Sequence, residues 1–204
     1  MNNNIKFYTV PASPWSFLSL DRIEKISNTY NLDLDFIPVD IFKLFEIQEI
    51  KMVSKRPLAI QKNRLNELRR WKDYLKVDFN IKPKFWPVNP NKSCKLIIAA
   101  SIIYPNDKKN IFNLVKNLSE AIWVHELNID DDEIIFNIAE KIFDIKKVKE
   151  FYFSEMASSI LQENTISAAK LDIFGVPTFV YKNQIFWGQD RIFFLEKEIR
   201  KLNV

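Results

Sequence analysis

One cysteine, one histidine and two glycines among 204 residues set the first limits on what this chain does. With Cys94 as its sole thiol, it forms no internal disulfide and carries no C-x-x-C pair. Disulfide exchange through two thiols of its own is therefore excluded. His125 alone excludes a metal site built from several histidines. The longest apolar run near the middle, LIIAASIIY, falls far short of the ~20 residues a membrane span needs, so no membrane partner is expected. MNNNIKFYTV lacks a charged region followed by a long apolar one, so it does not read as a signal peptide. A reducing, cytoplasmic setting is the expectation. Net charge is small: 30 Lys and Arg against 26 Asp and Glu give +4. The basic residues from Lys51 to Lys72 are interrupted by Glu67 and spread around a helix, so no nucleic-acid partner is expected.

What the chain does have is an ordinary globular composition, 47% hydrophobic and 27% charged, at a length that buries a substantial core. IKFYTV reads as a strand ending at Pro11. Ser13 then suits a helix N-cap with Pro14 in the first turn, and Trp15, Leu18, Ile23, Ile26 and Tyr30 give that helix one apolar side. LDLDFIPVD, residues 32 to 40, completes a βαβ opening with a right-handed crossover. From Ile41 to Leu161 the pattern is helical. Residues 58 to 76 form a charged helix with Leu58, Leu65, Leu68 and Trp71 as its inner stripe; further helices cover 91 to 103 and 108 to 124. Asp130, Asp131 and Asp132 resemble a helix start more than a cation site, and no metal is expected. Cys94, inside KSCKLIIAA, reads as a buried core thiol.

Strands return at VPTFVY (176 to 181) and QIFW (184 to 187), a hairpin across Lys182-Asn183. A last helix from Asp190 turns Ile192, Leu195, Ile199 and Leu202 inward. Both glycines, Gly175 and Gly188, fall in this one neighbourhood, IFGVPTFVYKNQIFWGQDR. A chain so poor in glycine places it where backbone geometry demands it.

SPWSFL (13 to 18), RLNELRRW (64 to 71), PKFWPVNP (83 to 90) and FGVPTFV with FWGQDR together resemble the 2-hydroxychromene-2-carboxylate isomerases and kappa-class glutathione transferases of the DsbA-like thioredoxin group. The likeness runs from residue 7 to residue 196. It implies an α/β fold in which an all-helical domain is inserted between the βαβ and ββα halves of a thioredoxin domain. The expected boundaries are 1–44, 45–163 and 164–204. It also implies a homodimer.

The same resemblance implies glutathione as cofactor, which brings the thiol the chain lacks. Ser13 would hold that thiol: a hydroxyl at a helix N-terminus donates to a thiolate, and the helix dipole favours its charge. Val176-Pro177 resembles the thioredoxin cis-proline loop, whose backbone would pair with the cysteinyl part of glutathione. Gly188, Gln189, Asp190 and Arg191 would hold the γ-glutamyl end, with Asp190 facing its amino group. Asn89 and Arg56 would place a small-molecule substrate, an aromatic or unsaturated keto acid. Read from the residues alone, Arg56 with Lys55 is also consistent with a solvated loop, and Asn89 with a turn before Pro90.

The implied activity is isomerisation by reversible thiolate addition and elimination. Two alternatives stay open: a kappa-like transferase or peroxidase, and a non-catalytic thioredoxin-like binding module. Ser13 with GQDR argues against the module. The chain also departs from the pattern. Asn63 stands where many relatives carry tyrosine, and Ile60, with Lys62 close by, falls near the kappa-class lysine.

Overall fold

A computed structural model describes residues 4–202, with the side chain of Leu202 outside that description. β1 (Asn4–Thr9) is flanked by β2 (Asp33–Pro38), parallel to it, and β3 (Thr178–Tyr181), antiparallel; β4 (Gln184–Trp187) completes the order β2-β1-β3-β4. In register, Phe7 sits opposite both Phe36 and Phe179, with ring centroids 5.4 and 4.6 Å apart. This aromatic row anchors the core of the sheet, and each such pair adds about 0.5–1.5 kcal/mol beyond its buried area.

The first helical segment is two pieces instead of the single helix expected. α1 (Pro14–Phe17) is one turn, and α2 (Leu20–Tyr30) follows after a break at Leu18 and Ser19. Ser19 provides the local reason: its Oγ donates to the Ser16 carbonyl at 2.6 Å, competing with the helical ladder.

Helices α3 (Ile41–Ile47), α4 (Leu58–Leu75), α5 (Asn91–Ile103), α6 (Lys108–Trp123), α7 (Asp132–Ala139), α8 (Ile145–Tyr152) and α9 (Glu155–Lys170) form the inserted block, and α10 (Ile192–Leu202) closes the fold. The apolar run of the sequence is the centre of α5, where Leu96, Ile97, Ala99 and Ala100 are wholly buried between β2, α6, α8 and α9. Asp130 to Asp132 serve a helix start, the Asp131 carboxylate accepting from the Glu133 N–H at 2.9 Å.

The thioredoxin-like α/β fold is as expected, with the helical block lying between its βαβ and ββα parts. The expected boundaries 44/45 and 163/164 fall inside α3 and α9, and a buried apolar cluster runs from Phe7 to Trp123, so the helical block shares core with the sheet. Two expectations need correction. Leu58 is 72% exposed, because only the later turns of α4 reach the core, through Leu68. The chain after β4 first makes a 3₁₀ turn over Gln189–Arg191, so α10 begins at Ile192 and not at Asp190. Among the described residues no helix is long and apolar enough to cross a membrane.

Candidate active site

β1 leads into Val10-Pro11-Ala12, and this short link aims Ser13. Two indoles fix its backbone: Trp123 Nε1 donates to the Pro11 carbonyl at 3.1 Å, and Trp86 Nε1 to the Ala12 carbonyl at 3.2 Å. Trp123 comes from α6 and Trp86 from the segment between α4 and α5, so the helical block sets the position of a residue on the sheet's side.

Ser13 is the N-cap of α1, in extended conformation, and its Oγ accepts from the Ser16 N–H at 3.2 Å. Its hydroxyl proton points toward the Val176 carbonyl at 3.5 Å, well beyond the 2.7–2.8 Å typical of an O–H···O bond. That proton is therefore open to a better acceptor. In the first turn, Pro14 has no N–H and the Ser16 N–H is taken by Ser13. The Trp15 N–H has no partner among the described residues. A hydroxyl and a backbone donor are thus both available at the start of α1.

Val176-Pro177 is a cis peptide beside Ser13, and the Val176 N–H is unbonded among the described residues. Thr178 Oγ1 holds this loop by donating to the Gly175 carbonyl at 2.7 Å. Gly175 lies under the indole of Trp187; a Cβ there would sit 2.9 Å from Trp187 Nε1. Gly188 has φ +96°, and a Cβ on it would meet Asp190 Oδ1 at 2.6 Å. Both glycines are thus explained by close approach and backbone geometry.

The Gly188 N–H donates to the Pro177 carbonyl at 2.8 Å, so it is not free for a ligand as expected. The N–H groups of Gln189 and Asp190 remain unbonded among the described residues. Asp190 does not cap the turn; its exposed carboxylate pairs with Arg191. The Gln189 side chain is buried and accepts from Arg22, which also donates to the Leu18 carbonyl at 3.0 Å. Burial lowers the pKa of Arg22, with the charge of Asp190 partly opposing. Arg22 thus ties α2 to the turn that carries Asp190.

Ser13, Val176, Pro177 and the Gly188–Arg191 turn all line one cleft of about 830 Å³. Residues of α4 line it too, and its aromatic lining includes Trp15, Phe45, Trp71 and Trp86. Such a mostly apolar cleft with a few converging polar groups is the ordinary form of a small-molecule site.

Arg56 lines the cleft, its Nε donating to the Lys51 carbonyl at 2.9 Å and its guanidinium 5.6 Å from the Phe45 ring centre. Asn89 does not reach it: it is exposed, and its Oδ1 accepts from the Asn91 N–H at 3.0 Å. The residue spends its side chain on the turn before α5, which replaces the expected substrate contact. Lys55 and Lys62 are exposed and lie outside the cleft wall, whereas Asn63 is part of it.

Sequence reasoning assigned no role to Arg64. It lines the cleft with its guanidinium 4.3 Å from the centre of the Trp86 ring. The signal was present in the spacing: Ile60, Arg64, Glu67 and Trp71 recur at helical intervals and all face the cleft. Cys94 is fully buried in α5 and His125 is exposed; neither belongs to the cleft.

The family model of the DsbA-like thioredoxin domain matches residues 4–200. A protein of Pseudomonas putida named 2-hydroxychromene-2-carboxylate isomerase is 25% identical over 200 residues, 97% of this chain and 95% of its own length. One of Pseudomonas sp. (strain C18) with the same name is 24% identical over 197 residues, covering 96% of this chain and 89% of its own. The solved structure of a selenomethionine 2-hydroxychromene-2-carboxylate isomerase superposes with TM-score 0.81 at 23% identity, covering 97% of this chain and 95% of that one.

Proposed function

The chain belongs to the DsbA-like thioredoxin family, and from that premise we propose that it is a glutathione-dependent isomerase of a small aromatic or unsaturated keto acid. The observation that carries the reading is the loosely held Ser13 hydroxyl, beside the Val176 carbonyl in a cleft that contains no thiol of the chain's own. Relatives named 2-hydroxychromene-2-carboxylate isomerase along nearly the whole length support the same reading.

The unbonded groups suit this tripeptide. The Val176 N–H and its loosely engaged carbonyl offer a strand-like edge to an extended peptide. The Gln189 and Asp190 N–H groups face a carboxylate, and the Asp190 carboxylate an amine. Bound there, glutathione would supply the thiolate nucleophile for a reversible addition to a conjugated carbon. The chain's own residues do the rest. Ser13 donates its hydroxyl proton to the sulfur, and the Trp15 N–H adds a second donor. The aromatic walls exclude water and hold a flat substrate over that point. Arg56 adds positive charge where an acid would dock.

The test is turnover of 2-hydroxychromene-2-carboxylate with and without glutathione, in wild type and Ser13→Ala. Glutathione-dependent turnover is expected. The variant should keep fold and glutathione affinity within about tenfold, while turnover falls by roughly 10- to 150-fold, the value of a hydrogen bond to a charged group. Turnover without glutathione, or unchanged in the variant, overturns the reading.

A further inference from the structure

We propose that Arg64 receives the carboxylate of the second substrate and so sets a preference for acids over neutral unsaturated compounds; this rests on the function proposed above. α4 places Arg64 between Ile60 and Trp71 on the one helix face that borders the cleft. Its guanidinium lies over Trp86, and the Trp86 indole is itself bonded to the carbonyl of Ala12, next to Ser13. One ring therefore links this cation to the residue before Ser13.

The guanidinium makes no ion pair and no hydrogen bond to protein among the described residues, although the residue is half-buried. Glu67, one turn further along the same face, is engaged by Arg70. The other charge acting on Arg64 is of like sign: burial pulls its pKa down to about 10, and Arg56 adds to the shift. Arg56 and Arg64 both line an aromatic cleft whose two carboxylates, Glu67 and Asp190, are engaged by Arg70 and Arg191, which leaves an anion's place open. A planar guanidinium offers a carboxylate two parallel donors, and the flat Trp86 ring beneath suits a substrate that is itself planar and aromatic.

A carboxylate could also come from the glycine end of glutathione, so the experiment separates the two sources. Cinnamate, its neutral counterpart cinnamamide, and glutathione are each titrated by calorimetry into wild type, Arg64→Met and Arg64→Lys, with a thermal melt to confirm folding. Wild type should bind cinnamate at least tenfold more tightly than cinnamamide. Arg64→Met should erase that preference while leaving cinnamamide and glutathione affinities unchanged, and Arg64→Lys should restore part of it. Persistence of the preference in Arg64→Met, or its absence in wild type, overturns the proposal. So does a loss confined to glutathione, which would assign Arg64 to the cofactor. Failure of wild type to bind glutathione refutes the proposed function instead, and the cinnamate arm then decides the role of Arg64 by itself.

Discussion

Cys94 sits fully buried in α5 with its Sγ donating to the Val39 carbonyl at 3.8 Å, and burial pushes its pKa well above the ordinary 9.0. The folded chain therefore keeps a proton that the unfolded chain releases above that value. Stability from this group is fully present below about pH 9 and declines as pH rises further, by up to about 1.4 kcal/mol per pH unit. Cys94→Ala should lack that slope in denaturant titrations between pH 8.5 and 10.5 and retain wild-type turnover. A folded Cys94→Ala protein without turnover would mean that the thiol of the chain itself does the chemistry. At this scale legibility followed local chemistry. Ser13 and the two glycines were readable because a cap, a positive φ at Gly188 and a close approach at Gly175 each restrict the residue type. Asn89 misled, since a turn asparagine and a substrate asparagine look alike in sequence, and its Oδ1 was already committed to Asn91. Arg64 was missed because only the fold reveals that its guanidinium lies over Trp86 with no ion pair or hydrogen bond among the described residues.

Elements decide which face of a residue counts. α4 read as an amphipathic helix with a core stripe, yet its first turn does not reach the core, so Leu58 is exposed, and one face borders the cleft, where Arg64 is half-buried. The hairpin of β3 and β4 matched its expectation closely, because Lys182 and Asn183 carry the positive φ values that a two-residue turn demands. The turn after β4 was less legible. A 3₁₀ segment and a helix share their first residues, and the Arg22–Gln189 contact that fixes it joins residues far apart in the chain. Asp190→Ala tests the function of this turn. The apparent KM for glutathione should rise about three- to fivefold, a modest figure because an exposed charge is screened, while KM for the acid stays unchanged. Equal rises in both would remove the glutamyl end from this turn.

The molecule as a whole behaves as one body in its packing: the same core joins Phe7 of the sheet to Trp123 of α6, and Trp123 in turn holds the link before Ser13. Unfolding should therefore be a single transition, with far-ultraviolet circular dichroism and tryptophan fluorescence coincident within error. Two separated transitions would restore an independent helical domain. Element order and type were legible from apolar periodicity and turn residues, because those are local. The shared core was not, since the same pattern serves a helix packed on helices and one packed on a sheet. The proposal on which everything else depends is that the cleft, which has no cysteine of its own, activates the thiol of bound glutathione. Its most direct test is the thiolate absorbance of glutathione bound to Cys94→Ala, followed against pH. Ser13 and the first-turn backbone, at about 1 kcal/mol each, should lower a free thiol pKa of about 8.5 to near 7, and adding Ser13→Ala should return it upward by roughly one unit. A bound thiol that titrates at its free value, unmoved by Ser13→Ala, would contradict the account.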